Sequence, residues 1–133
     1  MRIGLDTSVA LRLVTGEPED LALVALAAVE KLLETQHTVT VSDLVASETY
    51  FALQHHFRMP KAEALDVLAQ FFRASRIKAA GAADEILATP HLATAQPGFV
   101  DRMIHAEYVR IADQMLTFEK AARRLPKTRV LAP

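Results

Sequence analysis

The chain has no cysteine and no tryptophan, only four glycines among its 133 residues, and no apolar run as long as a membrane span. Without cysteine there is neither a disulfide framework nor a thiolate metal site. So little glycine leaves no phosphate-cradling loop: Gly-x-Gly-x-x-Gly and the Gly-Lys-Ser/Thr loop are both missing, as is the Gly-x-Ser-x-Gly elbow. Aromatic residues make up 6% of the chain, so no platform for stacking single-stranded bases is evident. No charged, apolar and small-residue succession of a secretion signal opens it. These absences point to a soluble cytoplasmic protein with no membrane partner.

What is present is a foldable chain. Hydrophobic residues account for 51% of it, enough to bury a core, and the length suits one domain over residues 1–133. The formal net charge of −1 conceals an asymmetry. Residues 1–57 hold eight acids against three Lys and Arg, whereas residues 58–133 hold eight acids against twelve. Lys120, Arg123, Arg124, Lys127 and Arg129 follow the last acid. That tail suits contacts to phosphates, with Arg12, Arg102 and Arg110 as further candidates, and it equally suits a solvated surface.

The hydrophobic pattern alternates strand and helix. Residues 1–5 read as a strand, Thr7 to about Val14 as a helix closed by Gly16, and Pro18 opens a helix to about Glu34. The β-branched run Thr38–Val41 predicts a strand, and Ser42 caps a helix through Phe57. Pro60 begins the next helix, Arg76–Ala79 is a third strand, and residues 82–95 are helical but broken at Pro90. Phe99 to about Ile111 is helical, and Met115–Phe118 reads as a buried strand. Glu119–Leu125 is a short helix and Thr128–Leu131 a last strand. Strands parted by helices imply an α/β fold, with a central, mostly parallel sheet between helical layers.

Against this frame four acids stand out. Asp6 ends the first strand, at the edge where open α/β sheets place ligands; capping the next helix is its plainer use. Glu48 falls in one helical stripe with Leu44, Phe51 and Ala52, with His55 beside them; a charge buried there would want a cation. Ala46, Tyr50, Leu53 and Phe57 form a second apolar stripe on that helix, suggesting burial on two sides or a subunit interface. Asp101 lies in a first helical turn and shares a face with Ile104, His105 and Tyr108; a packed His105 is the commoner case, a cation shared with Asp101 the rarer. Glu119 follows a strand as Asp6 does, and an exposed first-turn Glu is equally its reading. Together the four suggest a metal site built from oxygen ligands. Two carboxylates about 5 Å apart repel by roughly 3 kcal/mol at an effective dielectric of 20. An empty cluster should therefore raise the pKa of at least one acid, and a cation should stabilise the fold.

Leu5-Asp6-Thr7-Ser8-Val9, Val41-Ser42-Asp43-Leu44-Val45-Ala46-Ser47-Glu48, Gly98-Phe99-Val100-Asp101 and Leu116-Thr117-Phe118-Glu119-Lys120 stand in the order of the motifs of PIN-domain nucleases. The chain resembles that family over almost its whole length, and within it the VapC-type toxins of bacterial toxin–antitoxin pairs. The resemblance implies a three-layer α/β/α fold and an endoribonuclease dependent on Mg²⁺ or Mn²⁺, with Asp6, Glu48, Asp101 and Glu119 as its metal-binding and catalytic acids. It also implies an RNA substrate, a cognate antitoxin protein and a homodimer. Three departures stand: Glu119 where the family usually has Asp, Ser8 where Asn is common, and Gly98 where many relatives carry a further Asp. Glu119 leaves open a PIN-like binding module with weak or no turnover. A haloacid-dehalogenase type of phosphotransferase using Asp6 as nucleophile is a third reading, though Ser8 stands where that chemistry wants a second Asp.

Overall fold

Strand β1 (Arg2–Leu5) and strand β2 (Thr38–Val41) run parallel, in a register that sets Arg2 against Thr38 and Leu5 against Val41. In β2 the period of two is plain, because Val39 and Val41 are buried while Thr38 and Thr40 are half-buried. A computed structural model describes all 133 residues. Between these strands lie helix α1 (Thr7–Thr15) and helix α2 (Glu19–Glu34). Gly16 closes α1 in the left-handed region at φ 71°, its N–H donating to the Arg12 carbonyl, a conformation that glycine adopts without a Cβ penalty. Pro18 stands at the start of α2, where its missing N–H is no loss.

Ser42 caps helix α3 (Asp43–His55) by accepting from the Val45 N–H, and Pro60 precedes helix α4 (Lys61–Ala74). The third strand is shorter than the expected Arg76–Ala79, because only β3 (Lys78–Ala79) pairs with β2. Helix α5 (Ala83–Leu87) ends before Pro90, and the chain turns repeatedly before helix α6 (Phe99–Ile111). Strand β4 (Met115–Thr117), a 3₁₀ turn (Lys120–Arg124) and strand β5 (Thr128–Val130) complete the chain.

All strand pairs are parallel, and the α/β architecture is the one expected. The strands, however, fall into a three-stranded sheet, β1-β2-β3, and a separate two-stranded one, β4-β5. The main core gathers Val29, Val39, Val41, Tyr50, Leu53, Leu65, Leu68 and Ile77 around the larger sheet. Helix α6 is rooted in it by Phe99 and Met103, with the Phe99 ring edge-on to Tyr50 at 5.2 Å. Beyond that root the burial fades. Leu116 is 57% exposed and Phe118 72% exposed, so the stretch from Met115 to Phe118 is not the buried strand its apolar run predicts. β4 has a hydrogen-bonded neighbour on one edge only.

Candidate functional site

Asp6 follows β1 directly and caps α1. Its Oδ1 accepts from the Ser8 hydroxyl at 2.5 Å and from the Val9 N–H at 3.1 Å. The capping role and the strand-end position are thus held by one residue, because the strand stops where the helix needs an acceptor. The Ser8 hydroxyl and then the Val9 amide hold the carboxyl below its usual value, against a smaller opposing effect of burial. Asp6 is fully exposed and ionised. The expected rise through acid–acid repulsion does not occur at this residue, where donors outweigh any crowding.

Glu48 joins Asp6 through an intermediary that sequence reasoning passed over. The Thr7 hydroxyl donates to Glu48 Oε1 at 3.0 Å, tying the start of α1 to the middle of α3. Helix α3 packs through Ala46, Thr49, Tyr50 and Leu53, which turns Glu48 outward. The stripe that carries it is consequently the exposed one: Leu44 is 72% exposed and Phe51 45% exposed. Glu48 is no buried charge in need of a cation, and the stripe of Ala46, Tyr50 and Leu53 is core rather than a second interface.

Asp101 and Glu119 share one cavity. Both line a cavity of about 170 Å³ between α6 and β4, with Ile104, Tyr108, Leu116 and Leu125 among its other walls. Glu119 Oε1 also accepts from the Ala121 N–H at 3.2 Å, so it caps the turn that follows, while its own N–H donates to the Thr117 hydroxyl. His105, on the same helix as Asp101, is buried and bonds the Pro126 carbonyl through Nε2 at 2.6 Å. That ring is a tie between α6 and the β5 side, the commoner of its two readings.

Direct contacts link the four acids two by two, Asp6 with Glu48 through Thr7 and Asp101 with Glu119 through their common cavity. Nowhere in the chain do three or more His, Asp or Glu side chains converge as a metal site. Mg²⁺ is often held by one or two carboxylates with water and substrate phosphate completing its shell, so each pair has the right donor chemistry.

Asp43 lies inside the second motif but does structural work. Its carboxylate accepts from the Ala82 N–H at 3.0 Å and from the Ala83 N–H at 3.2 Å, fixing the start of α5. Gly81 permits that approach, because a Cβ there would collide with the Asp43 carboxylate. A first-turn acid was the only visible signal, since its partners lie far along the chain. Among the basic candidates, Arg102 Nε donates to the Pro97 carbonyl at 2.7 Å and is committed to the α6 start. Lys120, Arg123, Arg124, Lys127 and Arg129 are all exposed, on the same part of the chain as Glu119. No helix is long and apolar enough to cross a membrane.

The PIN domain family matches residues 3–128 of the chain. No curated protein and no solved structure matches it.

Proposed function

Because the chain belongs to the PIN-domain family, generally a nuclease fold, we propose that it is a metal-dependent endoribonuclease acting as the toxin of a toxin–antitoxin pair. The observation that carries this reading is the Asp6–Thr7–Glu48 arrangement at the C-terminal end of β1. Two separate segments there present ionisable oxygens at the sheet edge where α/β folds bind ligands. Ser8 and Val9 keep Asp6 anionic, which suits it to a hard cation, and Thr7 restrains Glu48 beside it. Asp101 and Glu119 would complete the ligand set. A bound Mg²⁺ or Mn²⁺ would supply an activated water and neutralise the leaving oxygen of a phosphodiester. The residues themselves would position RNA: the exposed basic tail holds backbone phosphates on the side of the chain that carries Glu119.

The proposed partners are RNA, a cognate antitoxin protein that covers the acids, and a second copy of the chain; the proposed setting is the cytoplasm. The whole of residues 1–133 is taken as one PIN unit. A second reading, a PIN-like binding module without turnover, draws on two observations. Glu119 is engaged as a cap, and no three acids converge within one chain.

Incubating labelled RNA with the protein and Mn²⁺ decides between them. Cleavage should fall at least about 100-fold in Asp6→Asn and in Asp101→Asn, since even outer-shell partners of metal ligands are typically worth 10–100-fold. Circular dichroism should remain that of the wild type. Binding without cleavage by the wild-type protein would establish the second reading.

A further inference from the structure

The aromatic residues of the chain are six Phe and two Tyr. Most of these rings belong to the interior: Tyr50 and Phe99 lie in the core, and Phe57, Phe71 and Phe72 pack against it. The others, Phe51, Tyr108 and Phe118, are exposed. They sit on separate elements, yet each lies beside one of the four acids. Phe51 follows Glu48 by one helical turn on α3, so the two are neighbours on its surface. Tyr108, two turns beyond Asp101 on α6, lines the same cavity as Asp101 and Glu119. Phe118 directly precedes Glu119. A single exposed apolar side chain is ordinary. That every free ring falls at the acids is a matter of placement, which composition does not report.

The Phe51 surface is wider than one ring. His55, a turn further along α3, lies nearly parallel to it, the planes 20° apart and the centroids 6.2 Å apart. A nucleotide joins a phosphate to a flat base through one sugar. Carboxylates that hold a cation suit the first end, and a free ring nearby suits the second. Stacking asks little of sequence, because every base has a π-face. We propose that Phe51, backed by His55, and Tyr108 are stacking subsites for unpaired bases next to the phosphate that the acids hold. The low aromatic content that left no stacking platform evident in the sequence is offset by where the free rings stand. That these bases adjoin a scissile phosphate rests on the nuclease reading; the stacking itself requires only that RNA binds.

Full-length Asp6→Asn protein, which spares the RNA, is titrated into a short fluorescein-labelled RNA without internal pairing and into the same RNA as a duplex. Adding Phe51→Ala or Tyr108→Ala should weaken single-strand binding about 5- to 150-fold each, the worth of stacking one base. Duplex binding should not change, because paired bases keep their faces covered. The slope of log affinity against log salt should also stay, since no phosphate contact is lost. Phe51→Tyr and Tyr108→Phe should bind as the parent does, whereas Phe51→Leu and Tyr108→Leu should not, leucine having no ring face. Both side chains are exposed, so urea unfolding should be unaltered. Unchanged single-strand affinity in both alanine variants overturns the proposal, and loss in only one removes the other subsite. Equal losses on strand and duplex, or full rescue by leucine, overturn it by showing a contact that does not read base faces. Unchanged RNA affinity with an altered oligomeric state overturns it by showing that the rings meet protein. A parent that binds no RNA removes the stacking and the nuclease reading together. Ring-dependent binding by a protein whose wild type never cleaves sinks the nuclease reading and leaves the stacking standing.

Discussion

Residues 1–87 and residues 99–133 are built from similar material and reach different ends. The first stretch encloses β2 between β1 and β3 and buries Val39, Leu53, Ala64 and Leu68 almost completely. The second buries Phe99, Met103 and His105 near its root and Ala122 further on, yet leaves Ile104, Tyr108, Ile111, Leu116 and Phe118 substantially exposed. Apolar composition is thus no guide to which strand becomes interior. Val39 and Val41 of β2 are buried, whereas Leu116 of β4 is 57% exposed. Each region also carries half of the acids, so the difference in packing bears directly on function.

The sharpest way to break this contrast is at the joint. Phe99 is 1% exposed and is the largest side chain anchoring the second region in the first. Phe99→Ala should cost about 3–5 kcal/mol in urea unfolding, the range for truncating a buried aromatic. Ile111→Ser, at a position 69% exposed, should stay within about 0.5 kcal/mol in dilute protein. Equal costs would mean that the second region is held by something other than its root.

The next comparison sets one carboxylate from each region side by side. Asp43 satisfies two backbone N–H groups of the α5 start. Asp43→Ala leaves these part-buried donors without their acceptor and should lose about 1–3 kcal/mol. Asp101→Asn changes an exposed side chain and should lose no more than about 0.5 kcal/mol, although it abolishes the proposed cleavage. If the two proteins melt alike, the division between a structural acid and a chemical one is wrong.

How far the sequence discloses this division depends on the distance over which each cause acts. Helix starts at Asp6, Pro18, Ser42, Pro60 and Gly98 were readable because caps and prolines act within a turn. The strand at Thr38–Val41 was readable for a like reason, since its β-branched run is local. The parting of the sheet was not, since whether β4 lies beside β1 depends on α6 and on residues far upstream. The stripe holding Glu48 was misjudged because α3 carries two apolar stripes, and only tertiary packing selects Ala46, Tyr50 and Leu53 as the buried one. The acids themselves were identifiable by type and by motif. The Thr7 tether and the Asp43 clamp were invisible, each joining residues about forty positions apart.

A smaller effect is expected where the basic tail is altered. Arg123→Ala/Arg124→Ala removes two exposed cations from the second region. If both touch RNA, the slope of log affinity against log salt should shrink by about 1.4, at roughly 0.7 per phosphate on a single strand. The matched control is Arg73→Ala/Arg76→Ala, which removes two exposed cations from the first region and should leave the slope as it was. Equal changes in both would show that the field of the whole protein, rather than the tail, attracts RNA.

The smallest effect belongs to the hydroxyl at Ser8. Its bond to Asp6 is the largest cause of that carboxyl's depressed pKa, followed by the Val9 amide. A carboxyl lower in the folded state than in the unfolded one stabilises the fold above the unfolded value, and that contribution fades as pH falls through the folded one. Ser8→Ala should therefore move the Asp6 titration, followed by its carboxyl carbon resonance, upward toward the ordinary 3.8. It should also start acid unfolding at a slightly higher pH. Val9 still donates in this variant, so the shift should be partial. A midpoint that does not move would show that the amide alone holds Asp6 ionised. The serine would then give Asp6 nothing that an alanine could not, and the charge at the end of β1 would be a property of the helix start rather than of the motif.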